Sequence, residues 1–338
     1  MTAAQPLALK NILVTGGGGF LGQAIVNRLV DRGAAVRSFS RSRYAALDAL
    51  GVDHIQGDLT DAEAVRQACR DVDLVFHAAA KAGVWGPYET YHLANVVGTE
   101  NVIAACRWNG VDRLVYTSSP SVIFNGRDME GVDESAPYPP TYHAPYPRTK
   151  AMAEQRVRQA AGRGLKTIAL RPHLIWGPGD NHLVPRIIRR ARQLRIVGPG
   201  TNKVDTIYID NAAQAHILAA EALADKPELS GRVYFISQDA PIGLWDMVNA
   251  ILAAADLPPV RGRLSARSAR CMGAVLEWIY RTFRLPGEPR MTRFVAEELA
   301  TSHWFDIGAA KRDLGYRPQI STEEGLRRLR QWLQETKP

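Results

Sequence analysis

Two periods of apolar residue take turns along the first half of the chain. Short apolar runs at Asn11 to Thr15, Ala35 to Ser40, Val52 to Gln56, Asp73 to His77, Arg113 to Ser118 and Lys166 to Arg171 read as strands. Between them the spacing turns helical. Phe20 to Arg32 puts Leu21, Ile25 and Leu29 on one face, Asp61 to Arg70 opens on a capping carboxylate, and Tyr88 to Trp108 spans several turns. Strands separated by helices imply a parallel sheet covered on both faces. Right-handed crossovers make that an α/β fold with a doubly wound parallel sheet of the Rossmann kind. The second half is less regular. Thr206 to Ile209 and Val233 to Ser237 read as late strands, Asp210 as the cap of a helix through Leu223, and Ser321 with Glu324 as a capping box before Leu326, Leu329 and Leu333.

Composition narrows this little. The 338 residues, 46% of them hydrophobic, suffice for one large domain or one and a half. Cys69, Cys106 and Cys271 are odd in number and lack CxxC or metal spacing, which predicts neither a disulfide framework nor a metal site and suits a reducing cytoplasm. Met1 to Lys10 has no apolar signal core, and no window reaches the roughly 20 apolar residues of a membrane span. The formal charge is +8. Arg186, Arg189, Arg190, Arg192 and Arg195 crowd one stretch, which reads first as a solvated helix face and second as an attractor of acidic substrates, membrane or partner. No nucleic-acid-binding motif accompanies the charge, so nucleic acid is not expected as a partner.

Candidate chemistry changes the picture more. Gly16, Gly19 and Gly22 follow a strand and open a helix: the first permits a tight turn, the second lets backbone approach a pyrophosphate, and the third lets the helix pack closely. With Phe20 and Leu21, they present unpaired N–H groups at a helix N-terminus. After the second strand an NAD site usually carries an acid, but Ser38 to Arg43 has none. Ser40 could bond a 2′-phosphate and Arg41 could pair with it, with Arg43 as a second candidate, so NADP(H) is expected. Residues 1–175, rejoined by about 204–238, then form a dinucleotide-binding domain, and 176–203 with 239–338 a smaller C-terminal substrate lobe. Tyr146 and Lys150 lie four apart on a helix expected to start just after Tyr146, with Pro147 in its first turn. An ammonium beside the phenol would lower its pKa and let it exchange a proton. Ser119, with Ser118 as alternate, ends a strand on the carboxyl edge of the sheet, where a carbonyl would be oriented.

TGGGGFLG, Gly57-Asp58-Leu59, His77-Ala78-Ala79-Ala80, Asn95-Val96-Val97-Gly98-Thr99, Tyr116-Thr117-Ser118-Ser119, Tyr146 to Lys150 and Arg171-Pro172 together resemble the extended short-chain dehydrogenase/reductase family. Within it, Arg293-Phe294, His303-Trp304-Phe305-Asp306 and Leu314-Gly315-Tyr316 are similar to the 3β-hydroxysteroid and sterol-4α-carboxylate dehydrogenase branch, and the whole chain to reductases of 2-alkyl-3-oxoalkanoic acids in long-chain olefin biosynthesis. The resemblance implies that Asp58 and Leu59 contact the adenine side, Ala78, Ala79 and Ala80 line the cofactor, and Asn95 fixes the active-site helix. It implies that Tyr146 is the general acid, Lys150 holds the ribose and tunes Tyr146, Ser119 binds the substrate oxygen, and Pro172 flanks the nicotinamide. It further implies an NADPH-dependent ketone reductase of lipid metabolism acting on an apolar β-keto acid. A homodimer through Tyr88–Trp108 and Pro147–Gly162 and an assembly with thioester-cleaving and ring-forming enzymes go with it. An NAD(P)-dependent 3β-hydroxysteroid or sterol-carboxylate dehydrogenase is the rival.

The apolar stretch Leu264 to Leu285, with Met272, Val275, Leu276, Trp278, Ile279, Tyr280 and Phe283 among arginines, admits three readings. Packing in the core of the small lobe is the default. A tunnel or lid for acyl chains and an interfacial helix in peripheral contact with a membrane are the others.

Overall fold

The computed structural model describes residues 10–162 and 164–336. The N-terminal stretch read as lacking a signal core therefore lies, up to residue 9, outside the described residues. Seven parallel strands form the main sheet: β1 Asn11–Thr15, β2 Ala35–Ser40, β3 Asp53–Gln56, β4 Leu74–His77, β5 Arg113–Thr117, β6 Lys166–Pro172 and β7 Arg232–Ile236. Their order is β7-β6-β5-β4-β1-β2-β3, so the order in which successive strands are added reverses between β1 and β4. Ligands of such folds bind at that switch point, outside the carboxyl ends of the strands.

Alternation within each strand feeds two separate cores. Along β1, Ile12 and Val14 face one side with Ile25 and Leu29, while Leu13 faces the other with Val102, Ala153 and Val157. The helix α1, Phe20–Val30, thus covers one face, and α2, Gly98–Trp108, with α3, Pro145–Ala160, covers the other. The helix α4, Ile209–Asp225, returns to the α1 side, its alanines 212, 213, 215, 219 and 220 allowing close packing.

Several expectations need correction. The helix expected from Tyr88 to Trp108 is continuous but has a π-helical middle at His92–Val97, which one-face spacing cannot reveal. Tyr146 sits inside the first turn of α3, which begins at Pro145, two residues earlier than expected. Asp210 does not cap α4; it lies in the first turn and pairs with Arg328. The strand expected at Thr206 to Ile209 is only Ile207–Tyr208, paired with Ile175–Trp176 outside the main sheet. Ser321 does cap the last helix through the Glu324 N–H, but the Glu324 carboxylate turns to Arg327 and Arg328 and does not close the box.

The C-terminal part gathers around a second, four-stranded sheet of Ile242–Gly243, Lys203–Val204, His303–Phe305 and Met129–Val132. Met129–Val132 comes from the first half and was not expected as a strand. The helix α5, Ala266–Thr282, packs on α6, Arg293–Ala300. Most of the large apolar side chains of Leu264 to Leu285 are not core, which goes against the default reading: Met272, Val275, Trp278, Phe283 and Leu285 are exposed, Leu276, Ile279 and Tyr280 are half-buried, and Leu264 packs on the core. No helix among the described residues is long and apolar enough to cross a membrane.

Candidate active site

The glycine turn joins β1 to α1. Gly16 has φ +72° and donates its N–H to the Phe39 carbonyl, and a Cβ on it would come 3.0 Å from the Ala79 nitrogen. A Cβ on Gly22 would overlap the Gly16 carbonyl oxygen. Neither position admits a side chain, and the pinched backbone leaves the α1 N-terminus without a side-chain cap at Gly19. The Phe20, Leu21 and Gly22 end of the helix therefore keeps its positive potential for an anion. This stereochemistry fits a dinucleotide pyrophosphate. Tyr44, which the sequence reading passed over, lies over the turn, where a Cβ on Gly18 would meet its ring.

At the far end of β2, the Ser40 hydroxyl donates to the Ser42 carbonyl at 3.0 Å and meets His54 Nε2 at 2.9 Å. Arg43 is engaged by Asp48 at 3.2 Å. Arg41 is exposed, and among the described residues its guanidinium makes no hydrogen bond or ion pair, its charge acting only weakly on Asp58. It is thus the cation available to a phosphate, with Ser40 needing to release a bond first. Two bonds from Thr60 hold the Asp58 carboxyl below its usual range, so it is ionised, and Leu59 follows it under the Gly98 backbone.

Beyond β4, Ala78 to Ala80 pass the turn, with Ala79 N–H bonded to Thr15 Oγ1. Asn95 ties this segment to the reactive helix. Its side chain accepts from the Lys81 N–H at 2.7 Å and donates to the Lys81 carbonyl and to Thr149 Oγ1, each at 3.0 Å. The π-helical turn is what aims Asn95 at both. His77 bridges Thr15 and Thr99, and burial, aided by Lys150, pushes it down to about 3, so it is a neutral structural group.

Ser119, Tyr146 and Lys150 come together at the carboxyl ends of β5 and β6. Lys150 is buried, donates to the Thr117 carbonyl at 2.5 Å and sits 4.1 Å from the Tyr116 ring centroid. Burial lowers it to about 7, against the pull of Glu154. Tyr146 and Ser119 are half-buried and face the cleft. Burial pushes the phenol up to about 12, while a hydrogen bond from Ser119 opposes this and the charge of Glu298 adds to it. The expectation that Lys150 lowers the Tyr146 pKa is not met in this arrangement, because desolvation dominates and the ammonium is directed to Thr117 and Tyr116. Ser118 is turned away towards Glu154, which separates it from Ser119. Pro172 ends β6 beside a strained Leu174 at φ +45°. His173 bonds His303 at 2.7 Å and is structural. His143 is bonded to Glu297 at 2.6 Å.

Glu298 was missed. It stands on α6, remote in sequence, and burial raises its carboxyl to about 7 despite Arg186. Only the tertiary fold brings it to Tyr146. Nor are Arg186 and Arg190 part of a solvated face: both pair with Glu288, at 2.6 and 3.0 Å. A cavity of about 200 Å³ lined by Tyr142, His143, Pro147 and Phe294 contains none of Ser119, Tyr146 and Lys150 and is not the reaction centre.

Residues 13–263 match the model of the 3-beta hydroxysteroid dehydrogenase/isomerase family. The chain is 55% identical to a 2-alkyl-3-oxoalkanoate reductase of Stenotrophomonas maltophilia, covering 94% of this chain and 98% of that protein. It is 50% identical to one of Shewanella oneidensis, covering 97% and 88%. Among solved structures, MoeE5 in complex with UDP-glucose and NAD is similar at a TM-score of 0.74 and 26% identity, over 96% of this chain and 99% of that one.

Proposed function

The chain belongs to the 3-beta hydroxysteroid dehydrogenase/isomerase family, and on that premise we propose that it reduces the C3 ketone of a 2-alkyl-3-oxoalkanoic acid to the 2-alkyl-3-hydroxyalkanoic acid with NADPH. Membership makes it an oxidoreductase acting on CH–OH groups with a nicotinamide cofactor. Near-full-length likeness to two reductases of that name supports the substrate class and a place in olefin biosynthesis. The observation that carries the reading is that Ser119 and Tyr146 share a hydrogen bond in the cleft beside Lys150, at the carboxyl edge of the sheet. The Tyr146 phenol is protonated at neutral pH and can give its proton to a developing alkoxide.

The chemistry the cofactor would supply when bound is a hydride for C3. Ser119 and Tyr146 both hydrogen-bond the C3 oxygen, where alkoxide charge develops, and Tyr146 gives it the proton. Lys150 would hold the ribose hydroxyls and Pro172 would flank the nicotinamide, while Asn95 keeps the helix carrying Tyr146 in register with the segment that follows Ala78–Ala80. Turnover of NADPH and NADH against a 2-alkyl-3-ketoacid and a 3-ketosteroid tests the reading. Faster turnover of the ketoacid with NADPH is expected. Preference for the steroid would favour the 3β-hydroxysteroid dehydrogenase that the family's name carries.

Arg41 is the support for NADPH. A charge-assisted bond contributes about 1.5–3 kcal/mol, so Arg41→Ala should raise the Michaelis constant for NADPH roughly ten- to a hundredfold and leave that for NADH unchanged. An equal effect on both cofactors would remove Arg41 from the 2′-phosphate.

A homodimer belongs to the same proposal. The groove between α2 and α3, lined by Ile103, Ala104, Arg107, Arg156 and Ala160, and the exposed Trp108 support it. So does association with enzymes that make the β-keto acid from a thioester and cyclise the hydroxy acid, because both handle the same insoluble chains. A cytoplasmic location suits such an assembly.

A further inference from the structure

The helix α5 is amphipathic in the reverse sense to a core helix. It meets α6 through Ala269, Gly273 and Glu277, its buried positions. A Cβ on Gly273 would lie 2.6 Å from the Thr292 carbonyl carbon, so glycine is required for this approach. Glu277 accepts from the Arg293 N–H at 2.7 Å and from its Nε at 2.9 Å. A small and charged stripe thus faces inwards, Met272, Val275 and Trp278 face out, and Leu276, Ile279 and Tyr280 are half-buried. Met272, Val275, Trp278, Phe283 and Leu285 are 41–65% exposed. Trp278 and Phe283 pack edge to face with centroids 6.4 Å apart, so they form part of one patch.

The surroundings are cationic. Arg261, Arg263, Arg267, Arg270, Arg281, Arg284, Arg290 and Arg293 stand against only Glu277 and Glu288 in this stretch. Arg293 is held by Glu277 and Arg270 by Glu297, and Glu288 is taken by Arg186 and Arg190. That leaves Arg267, Arg281 and Arg284, on α5 and just after it, without an acidic partner among the described residues, and cations so placed around exposed Trp and Phe suit a surface that is apolar below and anionic above. A second copy suits it poorly, since a two-fold contact would set the arginine patch against itself.

We propose that the outward face of α5, with Phe283 and Leu285, docks on a bilayer surface containing anionic lipid. The rings enter the headgroup boundary and the arginines meet phosphates. The patch adjoins the cleft: Tyr280 packs edge-on to Trp85 with centroids 6.3 Å apart, and Arg281 lies 5.3 Å from the Trp85 ring. Trp85 is in the loop that continues from Ala78 to Ala80, so docking holds that loop at the membrane. That this serves entry of an apolar substrate rests on the proposed reduction; the docking does not.

Flotation of the full chain with phosphatidylcholine vesicles, with and without phosphatidylglycerol, tests this. Binding to the phosphatidylglycerol vesicles at low salt, at least about tenfold weaker without the anionic lipid, is expected. A further loss of about tenfold or more should follow Trp278→Ser with Phe283→Ser, with thermal melting unchanged. Arg267→Glu with Arg284→Glu should reduce binding similarly without touching the rings. Absence of binding at low salt, or binding unaltered in both double variants, overturns the proposal. So does a change of oligomer size in the Trp278 and Phe283 variant, which would assign the face to a protein contact. NADPH oxidation with a short, water-soluble ketoacid in the same samples reports separately on the reduction.

Discussion

Replacing Tyr146 by phenylalanine should lower kcat for carbonyl reduction by about 10²- to 10⁴-fold, the usual weight of a positioned general acid. The phenol is the one hydroxyl in the cleft that is both protonated at neutral pH and carried by the helix that Asn95 and Lys150 hold in place. The variant removes a single oxygen from a half-buried ring, so folding and cofactor affinity should not change. Ser119→Ala should cost less, about 10²- to 10³-fold, because it removes a hydrogen-bond donor to the developing charge but leaves the proton source. Steady-state rates alongside NADPH titration by fluorescence separate the effects. A fall of less than tenfold in Tyr146→Phe, with affinity intact, would place the proton elsewhere, and Glu298 would become the group to test.

That Glu298 enters only through the structure illustrates what is legible in such a chain. The glycine turn, Ser119, Tyr146 and Lys150 lie in short motifs whose spacing fixes local geometry, so strand, turn and helix place them without tertiary information, whereas Asn95 rests on the family resemblance and is aimed by a π-helical turn that spacing does not show. The parallel sheet follows from alternating periods for the same reason. Glu298 comes near Tyr146, and Arg186 near Glu298, from segments far apart in sequence, and no local pattern encodes that approach. The apolar stretch at α5 failed differently. Its spacing of large side chains is that of a packed face, but burial is decided by the partner, and α6 offers Thr292 and Arg293, which only Gly273 and Glu277 can meet. The pKa of Tyr146 was misjudged because an i, i+4 lysine was given weight without its desolvation.

The largest effect on stability should come from Glu154. It lies one turn beyond Lys150 on α3 and binds Arg171 of β6, the residue before Pro172. Arg171 donates through Nη2 at 2.6 Å and Nε at 2.9 Å, and Tyr138 donates its hydroxyl at 2.6 Å. The Arg171 and Glu154 side chains are 1% and 0% exposed. Glu154→Ala leaves a guanidinium in the core against the Phe235 ring at 5.1 Å, with no hydrogen-bonded carboxylate and only the more distant charge of Glu134. Breaking such a pair from one side costs about 3–5 kcal/mol, or a fall in Tm of about 5–10 °C in a chain of this size. Leucine at both positions should recover most of that loss, since the penalty is the unpaired charge and not the missing attraction. Burial alone would raise the Glu154 carboxyl, but Arg171, Ser118 and Tyr138 outweigh it and leave it below its ordinary value. A depressed carboxyl contributes stability that is complete above its unfolded pKa of about 4.3 and is lost as pH falls through the folded one. The native chain should therefore lose Tm progressively below about pH 4, and the double-leucine variant should lose less over the same range. Calorimetry of the three proteins from neutral to acid pH measures this; equal Tm in Glu154→Ala and the native chain would mean that water reaches Arg171.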